Sequence, residues 1–208
     1  QVYGQPVKTS FSMQEWCGHQ YAQWITRDGA VHESLHSYWD GEADRELRLD
    51  IPAGAIFADS LPVLLRGLTG PVVAPGEKKE FPYLERILDL RLNRAVPEWT
   101  TATVERSKAA KELSTALGKM TADQYRVEVT GGSWRVFWIE KEAPHRLLRW
   151  QTASGEQGEL VGSIRSRYWK QSAEGDERLR AQLGLATPTP ALDSTTPSSA
   201  VPVVVDPL

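Results

Sequence analysis

Cysteine occurs once in the 208 residues, at Cys17. One thiol cannot close an internal disulfide, and no zinc-type cysteine pair exists, so cysteine usage does not report the compartment. Long apolar runs are missing as well: none approaches the ~18–20 residues that cross a bilayer as a helix. A basic surplus is also lacking. The formal net charge is -3, whereas a dedicated nucleic-acid binder carries a basic excess or a concentrated basic face. There is no phosphate-binding glycine loop, no nucleophile-elbow serine and no zinc-protease motif. The chain opens at Gln1 with neither a methionine nor a signal-peptide pattern, which predicts a processed or truncated product whose upstream segment is missing.

What is present reads as globular. Hydrophobic residues at 40% and charged residues at 25% suffice for one substantial core, and a single β-rich domain over residues 1–185 is expected. Residues 186–208 differ in kind. Their Pro/Thr/Ser tract, from Thr187 and Pro188 to Ser199, has no helical or strand period and predicts a disordered tail.

Residues 7–17 alternate partly, with Val7, Phe11, Met13 and Cys17 on one side and Ser10, Ser12, Gln14 and Trp16 on the other. After a bend at Gly18, a strand is expected over His19–Thr26. Asp28-Gly29 is a hairpin turn, since both positions tolerate positive φ. The partner strand is predicted over Ala30–Trp39, and Asp40-Gly41 turns the chain into another strand over Arg45–Ile51. Helical spacing of Ile56, Leu61, Leu64, Leu65 and Leu68 predicts an amphipathic helix across about 55–68, with Pro62 in its first turn. Tyr83–Leu92 fits either period, and its second half is read as strand. Trp99–Arg106 reads as a strand, and Ser107–Met120 as a short helix or a variable excursion. Four further strands are predicted at Tyr125–Thr130, Trp134–Lys141, Arg146–Thr152 and Glu159–Lys170. The fold class is therefore mainly β (α+β): a curved antiparallel sheet or half-barrel with one or two helices.

The densest mixture of reactive and recognition side chains runs from Phe11 to Asp44. Cys17 and His19 are two apart, and a nearby imidazole can lower a thiol pKa, so a Cys/His-dependent enzyme is one reading. The other is a cysteine packed as a small hydrophobe beside a hydrogen-bonded histidine. His32 and His36 would share a strand face with Ser34, Tyr38 and Asp40. Four residues of strand separate the two backbones by ~13 Å, an awkward span for one ion, and no metal site or cofactor is expected. Asp40, Glu42 and Asp44 alternate like a calcium loop, but Arg45 stands where its glycine belongs and Ile51 where its glutamate belongs. In the C-terminal half, Trp134, Trp138, Trp150, Tyr168 and Trp169 interleave with Arg135, Arg149, Arg165 and Arg167. Such a set can stack nucleic-acid bases, or it can pack, with guanidinium groups over rings or paired with Glu140 and Glu159. The acidic balance favours packing.

The segments QEWCGHQY (Gln14–Tyr21) and HSYWDGEAD (His36–Asp44) resemble a family of uncharacterised bacterial envelope proteins often labelled septum formation inhibitor Maf. The run Trp138–Trp150 and the GELVGS segment (Gly158–Ser163) are similar to the same family, and the resemblance covers about residues 1–170. The pattern also looks like periplasmic domains of unknown function related to lipoprotein carriers. That likeness implies a half-barrel holding an apolar ligand or partner, in the bacterial periplasm or outer envelope, and it implies no catalytic residue. The reading that follows is a non-enzymatic binding or carrier protein for a lipid-like or protein ligand. Trp16, His19, Tyr21, His36, Tyr38, Glu42 and Asp44 are its candidate binding residues, at the mouth of the concavity. A Cys17/His19 enzyme and a structural envelope protein docking through a sheet edge are the alternatives.

Overall fold

Asp28 and Gly29 both take positive φ, 51° and 71°, as a type I′ turn requires. They join β2 (Gly18–Arg27) to β3 (Ala30–His36) in register, with Arg27 opposite Ala30 and Tyr21 opposite His36. On one side of β2 lies β1 (Lys8–Glu15), and on the far side of β3 lies β4 (Arg45–Asp50), giving a four-stranded antiparallel meander. The computed structural model describes residues 5–173 and 175–185. Two compact units divide between Leu160 and Val161, and the residues expected to form a disordered tail lie outside those described.

A second, larger sheet curls into a half-barrel. Its strands are β5 (Ile56–Phe57), β6 (Lys78–Leu84), β7 (Thr100–Arg106), β8 (Lys111–Thr115), β9 (Gly118–Val129), β10 (Trp134–Glu140), β11 (Leu147–Thr152) and β12 (Gln157–Glu159). The spatial order is β12-β11-β10-β9-β7-β6-β5, with β8 folded back onto β9. Only β5 runs parallel to its neighbour; every other pairing is antiparallel. Most consecutive strands, β7 to β12, are joined by short connections that leave no room for a crossover, whereas the helix over Ile87–Leu92 lies in the longer link from β6 to β7.

The inward residues alternate as half-buried strands must. Phe81 and Tyr83, Ala102 and Val104, Tyr125, Val127 and Val129, then Phe137 and Ile139 form one core with Ile56, Ala58, Leu61, Leu64, Leu65 and Val73. The segment from Ile56 to Val73 thus fills much of the half-barrel. It holds less helix than its spacing predicted: β5, a 3₁₀ turn at Ala58–Ser60, and α1 (Leu61–Leu64), with Pro62 in the first turn as expected. A second core lies on the inner face of the four-stranded sheet, where Ala22, Trp24, Val31 and Leu35 meet Phe57, Leu84 and Ile87.

Four local expectations give way. The second half of Tyr83–Leu92 is helix, not strand: α2 (Ile87–Leu92) begins where the Asp59 carboxylate accepts a hydrogen bond from the Ile87 amide at 3.1 Å. A distant carboxylate thus satisfies a helix end that no local residue caps. Ser107–Met120 is no helix but the β8–β9 hairpin, turned at Ala116-Leu117 with Gly118 at φ 100°. The strand beginning at Ala30 stops at His36, so Tyr38 and Asp40 leave the face that carries His32. The run from Glu159 yields strand only through Glu159, and residues 160–167 take no regular structure.

The unit beginning at Val161 has little regular structure among its described residues: a 3₁₀ turn at Tyr168–Lys170 and α3 (Arg178–Gln182). Within it, a Cβ on Gly162 would come within 2.6 Å of the Leu183 carbonyl oxygen, so only glycine permits that backbone approach.

Candidate functional site

Strand β10 reads WRVFWIE, and its inward positions are Arg135, Phe137 and Ile139. An arginine at an inward position is the anomaly that locates the site. Opposite it on β11 stand Thr152, paired with Arg135, and Trp150, paired with Phe137. The Arg135 side chain is only 7% exposed and bridges two acids, Glu85 at 2.5 Å and Asp89 at 2.7 Å. It also donates to the Tyr83 hydroxyl. Burial opposes the Arg135 charge, but Tyr83, Glu85 and Asp89 together more than offset it and hold its pKa up.

Arg86 completes the cluster. It forks onto Asp89 through two 2.8 Å bonds and reaches Glu156 at 2.7 Å. Partial burial pushes Asp89 up, yet the hydrogen bond and charge of Arg86, with Arg135, win and hold its carboxyl below the usual range. Asp59, at the other end of the α2 amide bond, goes the opposite way. Desolvation raises its pKa against the Ile87 hydrogen bond and the Arg86 charge.

Two cavities meet at this cluster. One, of 220 Å³, has apolar walls from Ala58, Pro62, Phe137 and Trp150, closed by Arg86, Arg135 and Thr152. The other, of 310 Å³, shares Arg86, Arg135 and Thr152 and adds Glu85, Asp89, Asn93, Ser133 and Ser154, with Leu90 and Ala95 as apolar patches in its wall. The two guanidinium groups and Thr152 therefore belong to the walls of both cavities. The Trp150 wall depends on a glycine: a Cβ on Gly158, its partner on β12, would come within 2.5 Å of the indole Nε1. A wider hollow of 560 Å³ lies at the Asp28-Gly29 turn, but its charged walls are only Arg27 and Asp28, both exposed.

The residues expected to form the site are divided by the four-stranded sheet. His19, Tyr21 and His36 lie on its outer face, where His19 Nε2 meets the Ser12 hydroxyl at 3.1 Å and His36 Nδ1 meets Asp44 at 2.6 Å. Trp16 and Cys17 form the turn between β1 and β2, and both are exposed. No hydrogen bond joins Cys17 to His19 among the described residues. Tyr38 packs its ring on Gly18, where a Cβ would lie 2.5 Å from the ring, and donates to Glu15. That hydrogen bond, with desolvation and the Glu15 charge, pushes the phenol up to about 12. Glu42 turns inward to Arg91 of α2, a side chain 1% exposed that also donates to Gln20 at 3.2 Å. Arg94 lies over the Trp39 ring at 3.6 Å.

His19 and His36 thus face solvent while Glu42 enters a buried network, and the seven residues form no single cleft. Among the described residues no group of three or more His, Cys, Asp or Glu could hold a metal ion. Of the interleaved arginines, Arg135 pairs with Glu85 and Asp89, and Arg149 with Glu159 at 2.8 Å; beside them Arg146 pairs with Glu140 at 2.8 Å and Arg126 lies over Trp134. The residues missed in the sequence are Glu85, Arg86 and Asp89, while Arg135 stood there only among the arginines interleaved with aromatics. Their signal was the inward arginine on β10 and the i, i+3 pair Arg86/Asp89 at the start of α2. No helix is long and apolar enough to cross a membrane among the described residues. Comparison of the chain with protein-family models, with curated proteins and with solved structures found no match to any of the three.

Proposed function

We propose that this chain is a non-enzymatic cell-envelope binding or carrier protein for a lipid-like ligand. The observation that carries the reading is the 220 Å³ chamber with apolar walls beneath Trp150, left beside the segment from Ile56 to Val73 that packs into the half-barrel. A well-packed interior leaves few voids larger than a water molecule. An apolar cavity of ~150 Å³ holds a benzene molecule, so this one takes a short alkyl segment or a ring. It is too small for a whole lipid, which fits a site that grips one chain end and leaves the rest outside. The envelope setting rests on the resemblance of Gln14–Tyr21, His36–Asp44 and Trp138–Trp150 to the envelope family.

Burial of alkyl surface would supply the affinity, at about 0.8 kcal/mol per methylene. The test is a calorimetric titration with alkyl chains of increasing length from butyl to dodecyl, run beside native mass spectrometry of the purified chain. Affinity is expected to rise about tenfold for every two methylenes and then level off as the chamber fills. Absence of binding across the series, with no co-purifying amphiphile, would remove the reading.

A further inference from the structure

We infer that the exposed run Arg165–Lys170 is a docking surface for an anionic lipid bilayer. The surface is separate from the chamber beneath Trp150 and stands on its own observations.

The first observation is charge. Between Glu159 and Glu174 the chain carries Arg165, Arg167 and Lys170 and no acidic residue, although the whole molecule has a net charge of -3. All three side chains are exposed, and none of them has an ion pair among the described residues. In the larger sheet, by contrast, Arg126, Arg135, Arg146 and Arg149 each meet a carboxylate. The positive charge of the run is therefore left for a partner outside the chain.

The second observation is the pair of aromatic rings set among those cations. Tyr168 is 76% exposed and Trp169 66%. They sit in the 3₁₀ turn, which is closed by backbone bonds from the Lys170 amide to the Arg167 carbonyl and from the Gln171 amide to the Tyr168 carbonyl. Exposure alternates along the approach to that turn. Val161, Ser163, Arg165 and Arg167 point outward, while Gly162, Ile164 and Ser166 are half-buried. The close approach of Gly162 to the Leu183 backbone fixes which side faces in. Amphipathic rings beside cations suit a bilayer surface, where Trp and Tyr lie at headgroup level and Lys and Arg meet anionic lipids. A single strand of nucleic acid is the other polyanion, and it needs ring faces on which successive bases stack. The Tyr168 and Trp169 planes stand 85° apart, edge to face, and so offer no parallel pair of faces. A headgroup layer imposes no such stacking.

The test sediments the whole chain with vesicles of phosphatidylcholine alone and with vesicles of equimolar phosphatidylglycerol and phosphatidylcholine. Binding to the mixed vesicles is expected to be at least about tenfold tighter, and to weaken as salt is added. Each cation near an anionic surface contributes about fivefold, so Arg165→Gln with Arg167→Gln should weaken binding by about twentyfold or more. Lys8→Gln with Arg27→Gln removes the same charge from exposed positions elsewhere, and should leave binding within about twofold, because distant exposed charges are screened. Brominated phosphatidylglycerol should quench the tryptophan emission of the bound unmodified chain, and quench the Trp169→Phe chain markedly less. Equal binding to both kinds of vesicle, or no binding to the mixed ones, would overturn the inference. So would an equal loss in the Lys8/Arg27 variant, or identical quenching of the Trp169→Phe chain. Tighter binding of a single-stranded oligonucleotide than of the mixed vesicles at the same salt would also overturn it, and would assign the run to nucleic acid.

Discussion

Arg91 of α2 donates across 2.5 Å to Glu42, a residue 49 positions away in the loop between β3 and β4. The pair fastens the helix to the inner face of the four-stranded sheet, beside Gln20 on β2. It explains why the acidic run Asp40–Asp44 is not simply a solvated turn. One of its acids is the counter-charge of a buried arginine.

Removing that counter-charge should be costly. Glu42→Ala would leave the Arg91 guanidinium buried with only the Gln20 amide, and loss of one partner from a buried pair costs about 3–5 kcal/mol. Urea denaturation of the two chains checks this. Asp44→Ala is the control, because the His36–Asp44 pair is exposed and exposed pairs contribute about 0–1 kcal/mol. Equal effects of the two substitutions would contradict the assignment.

Tyr38 should titrate late and through Glu15. Its phenol is held up to about 12, first by the hydrogen bond to Glu15. Glu15→Gln is expected to bring it back toward ~10, the ordinary tyrosine value. Ultraviolet difference titration of the variant against the unmodified chain reads the change. An unchanged titration would mean that Tyr38 does not bond Glu15 in solution.

Asp59 gives a pH dependence with a definite sign. Its folded pKa is raised above the ordinary aspartate value by desolvation, so the folded chain binds its proton more readily than the unfolded chain does. Stability from this group is therefore lost as pH rises from the usual aspartate range to the raised folded value, and is constant above it. Asp89 has the opposite sign, with its pKa lowered, and its contribution is lost as pH falls. Asp59→Asn isolates the first effect. Denaturation midpoints of the two chains across pH 3–8 should diverge as that window is crossed, and parallel curves would rule the effect out.

Gly158→Ala should disturb the chamber without touching its charges. The new methyl would enter the space of the Trp150 indole, at 2.5 Å from Nε1. Overpacking of this kind costs about 1–3 kcal/mol, and the displaced ring should weaken alkyl-chain binding at least threefold. Calorimetry with monodecanoylglycerol measures the binding, and urea denaturation the stability. Unchanged binding would show that the Trp150 wall is not part of the site.

The sequence alone determined the meander. Period-two alternation and the Asp28-Gly29 turn place β2 and β4 to within a residue and β3 from its start at Ala30, though not its end at His36, because a strand with one buried face must alternate and a type I′ turn fixes its register. It also determined the mainly β class. Long-range partners decided the rest. Ile87–Leu92 has both periods in its sequence and becomes helix because Asp59 meets its first amide and Glu42 meets Arg91. Ser107–Met120 carries helical spacing but pairs as a hairpin along the half-barrel. The candidate site followed the same division. Cys17 and the histidines stood out because their side chains are chemically conspicuous one by one, yet the sheet turns His19 and His36 outward. Arg86, Asp89, Arg135 and Trp150 are ordinary residues until β6, α2, β10 and β11 bring them around one cavity. Convergence of distant strands is a property of the tertiary fold, and only there does an inward arginine acquire its acids and its chamber.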